Sequence, residues 1–181
     1  MKIKHLAHRI KTCLSLASLS PCKRRQFGCV VIDPIANIIL SEGYNGSLRG
    51  STQLCGGSKC DREGLKPGTT YEVGCVHAEQ NAVYNAARIG NSLVGSWFII
   101  NGEPCSLCAK AIVQVGATKV ICVSGVFGQL DGVEILQDAG VEVVLVEPDM
   151  SGLELALHQP MRLPRVREQK IPSSPFSKQT T

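Results

Sequence analysis

No apolar run in this 181-residue chain approaches the roughly 18 residues that a membrane-spanning helix requires. A helical membrane span is therefore not expected. Charge of one sign is scarce as well: 19 Lys and Arg stand against 15 Asp and Glu, a formal balance of +4. That excess suits a phosphorylated ligand but is too weak to argue for nucleic acid by itself. Part of it sits towards the two ends, in Lys2, Lys4, Arg9 and Lys11 and in Arg162, Arg165, Arg167, Lys170 and Lys178. No internal repeat is visible. A secretory leader is barely hinted at: "CLSLASLSPC" follows a basic start, but Ile3, Leu6, Ala7, Ile10, Cys13, Leu14 and Ala17 fall at helical spacing and read as an amphipathic helix. The chain is expected to be cytoplasmic, with neither membrane nor nucleic acid among its partners.

Cysteine is abundant. Nine of them, an odd number, would pair awkwardly as disulfides, whereas clustered cysteines in a reducing compartment point to metal. A hydrophobic content of 44% over this length suits one well-buried domain. The expected layout is a single domain over residues 1–150, with an insertion at about 46–75, and a tail over 151–181 that is flexible or docked on a neighbouring subunit.

After the first helix, "FGCVVID" and "NIILSEG" read as a hairpin. Residues 44–74 are dense in Gly, Ser, Thr and Cys and show no period, so a stretch of that length needs either a function or a metal staple. Beyond it, "VHAEQNAVYNAAR", "PCSLCAKAIVQVG" and "DGVEILQDAG" read as helices, and "SWFIIN", "KVICVS" and "VEVVLVE" as strands. Such alternation implies an α/β sheet with parallel neighbours and helices on both faces.

Two stretches carry the chemistry. In "GCVHAEQNAV", His77 and Glu79 crowd the start of a helix. An isolated histidine is more often a satisfied structural residue than a ligand. In "EPCSLC", Cys105 and Cys108 lie three apart at a helix start, where both sulfurs can reach one point and the helix dipole favours thiolate. Alone, this pair fits a redox dithiol or half of a structural zinc knuckle. Together with His77 it supplies three tetrahedral zinc ligands and leaves a fourth position open, the pattern of a catalytic zinc. Glu79 is then placed to take a proton from a metal-activated water and pass it on.

The pattern H-x-E followed by P-C-x-x-C, here "HAE" at 77–79 and "PCSLC" at 104–108, is similar to the signature of zinc nucleobase deaminases. From about Arg9 to Glu147 the chain resembles the deoxycytidylate (dCMP) deaminase family, through "GYNG" at 43–46, "CVHAEQNA" at 75–82, "PCSLCAKAIVQVG" at 104–116 and the helix–strand finish. The resemblance implies a cytidine deaminase-like three-layer α/β/α fold with a mixed five-stranded sheet. It implies hydrolytic conversion of dCMP, and as an open question dCTP, to the uracil nucleotide with release of ammonia, feeding thymidylate synthesis. It further implies a homohexamer activated by dCTP with Mg²⁺ and inhibited by dTTP.

Residue roles follow from the same resemblance. Arg25, Asn45, Ala78 and Phe127 are substrate candidates, and Tyr44, Asn45, Gly46, Arg49 and Asn81 are effector candidates. The residues themselves leave bland alternatives open: a plain turn for "YNG", a solvated charge run for Lys23, Arg24 and Arg25, and a core position for Phe127. The backbone carbonyl of Glu103 or Pro104 is a candidate acceptor for an exocyclic amine. Cys22, Cys55, Cys60 and Cys75 are proposed to hold a second, structural zinc, against the alternative of a core Cys22 and free loop thiols. Cys13, Cys29 and Cys122 fall in apolar runs and read as core. Rival functions are a tRNA adenosine or cytidine deaminase, a free-nucleoside deaminase and a non-catalytic zinc module.

Overall fold

The computed structural model of the chain describes residues 1–51, 55, 60, 62–65, 74–123 and 131–146, and the architecture is built from these. Helix α1, Ile3–Ala17, buries Ile10, Cys13, Leu16 and Ala17, the stripe its spacing predicts. It lies so close to strand β1, Gly28–Asp33, that a Cβ on Gly28 would stand 2.4 Å from the Cys13 carbonyl oxygen. The Cys13 thiol donates to the carbonyls of Gly28 and Ile99 at 3.2 and 3.4 Å, so this core cysteine also ties α1 to two strands.

β1 turns into β2, Ile38–Tyr44, through a bend in which the Asp33 carboxylate accepts the N–H groups of Ile35 and Ala36 at 2.7 and 2.9 Å. The remaining elements are α2 (Ala78–Ile89), β3 (Trp97–Ile100), α3 (Ser106–Gln114), β4 (Lys119–Val123), α4 (Asp131–Asp138) and β5 (Glu142–Val146). The sheet order is β2-β1-β3-β4-β5. β3, β4 and β5 run parallel, as the strand–helix alternation predicts, whereas β1 is antiparallel to both of its neighbours. The sheet is therefore mixed.

Alternation along the strands sends two apolar sets to opposite faces. Val30, Ile32, Ile99, Ile121, Val123 and Val146 meet α1. Cys29, Val31, Phe98, Ile100, Val120 and Cys122 meet Ala78, Ala82, Ala86, Ala109, Ile112 and Leu136 of α2, α3 and α4. The result is the three-layer α/β/α arrangement. Cys13, Cys29 and Cys122 are core residues, as expected.

Small residues at the α2–sheet contact let that helix approach closely. A Cβ on Gly43 would stand 2.5 Å from both the Ala78 carbonyl oxygen and the Ala82 nitrogen. The side chains of Asn81, Asn85 and Asn91 donate to the carbonyls of Tyr44, Glu42 and Leu40 at 2.8, 2.7 and 2.8 Å. These amides line the outer margin of the edge strand β2. Where β3, β4 and β5 begin, register partners Trp97, Lys119 and Glu142 form a row, with the Lys119 ammonium 4.2 Å from the indole centroid and 2.8 Å from the Glu142 carboxylate. No helix among the described residues is long and apolar enough to cross a membrane.

Candidate metal centre and its surroundings

His77 is the N-cap of α2 and Cys105 the N-cap of α3, each just outside its helix. Two helix N-termini thus converge on one point from the same side of the sheet. The difference from the simple picture of two cysteines on one helical face is that Cys105 reaches in from the cap, and only Cys108 from the first turn. The Gln80 side-chain oxygen accepts the His77 backbone N–H at 3.0 Å, half of a capping box that fixes where the imidazole starts.

The His77 Nδ1 lies 3.5 Å from Cys105 Sγ and 3.4 Å from Cys108 Sγ. Among the described residues this is the one set of three or more ligating groups whose donor atoms all lie within 4.8 Å of one another. One imidazole and two sulfurs at that spacing fit a tetrahedral zinc with one position open. The Cys105 thiol is lowered to about 4, first by the hydrogen bond from the Cys108 thiol and then by His77, against the opposing effect of burial. The Cys108 thiol is correspondingly raised, by its bond to Cys105 and by burial. A dication held here would draw both sulfurs to the thiolate state.

Glu79, in the first turn of α2, is only 6% exposed. Burial pushes its carboxyl above the ordinary range, partly offset by the neighbouring His77. A carboxylate next to the metal ligands and disposed to hold a proton is what a proton carrier needs. Ala78, between the two in sequence, is fully buried in the core.

Pro104 precedes the ligand loop, and a Cβ on Gly132 of α4 would stand 1.9 Å from its carbonyl oxygen. That carbonyl packs on α4, which leaves the Glu103 carbonyl as the candidate for an exocyclic amine.

The second cysteine group is also gathered. Burial and then the thiols of Cys22, Cys75 and Cys60 raise the Cys55 thiol, and Cys55 is hydrogen-bonded to Cys22. Cys75 is raised by burial and by Cys22 and Cys60, and lowered by an N–H of Asn45 that donates to its sulfur at 3.8 Å. The Arg25 backbone N–H donates to Cys22 Sγ at 3.5 Å. The four are neighbours, though no three are drawn to the spacing of the first site.

The other sequence candidates fall into two places. Tyr44, Asn45 and Gly46 end β2 beside α2, where Asn81 holds the Tyr44 carbonyl, Arg49 donates to Asn85 Oδ1 at 2.6 Å and Gly46 pairs with Val76. Of the basic run, Arg24 donates to the carbonyls of Arg62 and Leu65, so it holds the insertion. Arg25 is exposed, with its carbonyl taken by Asn45 Nδ2 at 3.0 Å. Phe127, and the tail over 151–181, lie outside the described residues. Sequence reading missed Asn101 and Phe27. A Cβ on Gly102 would meet the Phe27 ring at 2.7 Å, which places that ring beside the approach to the ligand loop; a Phe directly before a strand and an Asn directly after one gave no spacing signal.

A mixed sheet that brings one histidine and two cysteines together at two helix starts is the arrangement the comparisons with known proteins take up. The family model for the cytidine and deoxycytidylate deaminase zinc-binding region matches residues 4–124, and the chain belongs to that family. It is 31% identical over 132 residues to the deoxycytidylate deaminase of Schizosaccharomyces pombe, a match covering 70% of this chain and 39% of that protein. It is 29% identical to ComE operon protein 2 of Bacillus subtilis, over 74% of this chain and 67% of that one. The chain thus spans well under half of the fission-yeast protein. Among solved structures, the dCMP deaminase of cyanophage S-TIM5 in complex with dCMP and dUMP matches with a TM-score of 0.65 and 32% identity, over 81% of this chain and 99% of that one.

Proposed function

We propose that the protein catalyses hydrolytic deamination of dCMP to dUMP with release of ammonia, using zinc held by His77, Cys105 and Cys108. The observation that carries this reading is the buried Glu79 set beside three convergent zinc ligands. Support comes from the likeness to a phage enzyme solved with dCMP and dUMP. Zinc, when bound, supplies a Lewis acid that makes water nucleophilic near neutral pH. Glu79 removes one proton as water adds to C4 of the cytosine and delivers it to N3, then takes the remaining proton from the new C4 hydroxyl and passes it to the amino group, which departs as ammonia as the C4 carbonyl forms. The Glu103 carbonyl accepts from that amine and so favours an amino base over an oxo base.

On the substrate side the reading places Arg25 at the phosphate, Ala78 under the base and Phe127 over it. Asn45 uses both its N–H donors within the chain, so a deoxyribose hydroxyl would donate to the second lone pair of Oδ1. Tyr44, Asn45, Gly46, Arg49 and Asn81 form the proposed site for dCTP with Mg²⁺ or for dTTP, in a cytoplasmic homohexamer. The ultraviolet change on deamination of dCMP, CMP, deoxycytidine and dCTP, with and without effector, tests this. Turnover of dCMP, alone or with dCTP, and responsive to effector, is expected. No turnover of these by zinc-loaded protein that edits tRNA instead would overturn it.

Cys22, Cys55, Cys60 and Cys75 are proposed to close on a second zinc, which would staple an insertion that has little apolar surface with which to order itself. Backbone and amide N–H groups already directed at two of the sulfurs would stabilise the thiolates. Metal analysis is expected to give two zinc ions per chain, falling to one in Cys55→Ser with the catalytic ion retained. One ion per chain in fully loaded wild-type protein would refute the second site.

A further inference from the structure

The ladders on either side of β1 end at Gly28↔Tyr44 towards β2 and at Cys29↔Ile100 towards β3. The next residue on each flanking strand is an asparagine, Asn45 and Asn101, and both are buried, at 3% and 7% exposure. Asn45 gives its backbone N–H to the Phe27 carbonyl at 3.1 Å, accepts the Phe27 N–H on Oδ1 at 2.7 Å and donates from Nδ2 to the Arg25 carbonyl at 3.0 Å. Asn101 repeats the arrangement one residue on. Its backbone N–H meets the Gly28 carbonyl at 3.4 Å, its Oδ1 accepts the Gly28 N–H at 2.7 Å, and its Nδ2 donates to the Gln26 carbonyl at 3.0 Å.

A primary amide carries the donor and acceptor of a peptide group, so each side chain continues the ladder where the strand itself has left it. The main chain of Arg25, Gln26, Phe27 and Gly28 is held from both sides. Gln26 adds a bond from Nε2 to the Ser20 carbonyl at 2.7 Å, and the Ser20 hydroxyl returns to the Asn45 carbonyl at 2.7 Å. Only Gly102, Glu103 and Pro104 separate Asn101 from Cys105, so the same clamp sets the lead-in to β1 against the candidate ligands.

We infer that Asn101, paired with Asn45, is a positioning residue for nucleotide recognition: it fixes the backbone that presents Arg25 to the substrate phosphate. The inference rests on the phosphate role of Arg25 proposed above. An asparagine that merely finishes a strand would affect stability alone. A positioning residue affects the phosphate-bearing ligands selectively, because holding a charged side chain in register matters only to a ligand that meets it.

The test uses zinc-loaded Asn101→Ala, Asn101→Ser, Arg25→Ala and the Asn101→Ala/Arg25→Ala double variant, with KM and kcat for dCMP and inhibition by dUMP and by deoxyuridine. Asn101→Ser retains a hydroxyl in the polar niche, which favours a folded variant. Both Asn101 variants are expected to raise KM for dCMP and weaken dUMP about tenfold, with kcat within about twofold and deoxyuridine unchanged. In the double variant the Asn101 change is expected to add less than about twofold. Equal weakening of dUMP and deoxyuridine, unaltered KM in folded Asn101→Ser, or a full tenfold effect persisting without Arg25 would each overturn the inference. Arg25→Ala with an unchanged KM for dCMP would instead place the failure in the phosphate reading and take the inference with it.

Discussion

Glu79→Gln is expected to retain zinc at the wild-type stoichiometry and to lose turnover of dCMP by about 10⁴-fold, roughly 5 kcal/mol of transition-state stabilisation. The two side chains have the same shape, so the packing around α2 has no reason to move. What disappears is the ability to receive a proton and release it again. The wild-type carboxyl is buried and pushed upward by that burial, so the neutral amide relieves a desolvation penalty and the melting temperature is not expected to fall. Zinc analysis, thermal melting and single-turnover kinetics on the same preparation separate these effects. Turnover within tenfold of wild type would remove Glu79 from the mechanism.

Gly132→Ala is expected to damage the site from the far side of the ligand loop. Its Cβ would stand 1.9 Å from the Pro104 carbonyl oxygen, 2.8 Å from the Pro104 carbonyl carbon and 3.0 Å from the Cys105 carbonyl carbon. All three are backbone atoms, so no side chain can swing aside. Either α4 lifts away from α3 or the loop carrying Cys105 shifts. Overpacking of this kind costs about 3 kcal/mol, a fall in melting temperature of about 6–12 °C for a chain of this size. Weaker zinc binding should accompany it, because the displaced atoms belong to Cys105 and to Pro104 directly before it. Gly46→Ala is the control for stability, since its Cβ would meet nothing nearer than Pro21 at 3.6 Å. A Gly132→Ala protein that melts like wild type and holds zinc as tightly would show that the α4 contact does not position the loop.

The convergence of His77, Cys105 and Cys108 was legible in the sequence because these residues are chemically unusual and lie at spacings that helices impose. Histidine, glutamate and two cysteines at two helix starts have few other joint explanations. The elements were legible for a similar reason: strands β3, β4 and β5 and the helices between them keep clean apolar periods. The antiparallel union of β1 with β3 was not, because hydrophobic alternation records which face is buried and says nothing of strand direction. Nor was the role of Asn101 or the use of the Asn45 amide, since a side chain that bonds to backbone leaves no partner residue type to look for. The Arg24 contact with the insertion was hidden for the same reason.

The asparagines on α2 and just beyond its end bear on how this molecule behaves in company. A sheet edge is sticky because its outward carbonyls and N–H groups await any passing strand. At β2 the carbonyls of Leu40, Glu42 and Tyr44 are occupied by Asn91, Asn85 and Asn81 of the same chain. An intruding strand would have to evict three amides before gaining a ladder, so fibril-like growth through that margin is opposed. The helix that presents the histidine and the glutamate thus also guards the chain against its own kind: colloidal safety and chemistry are written on two faces of one helix, and neither can be redesigned without regard to the other.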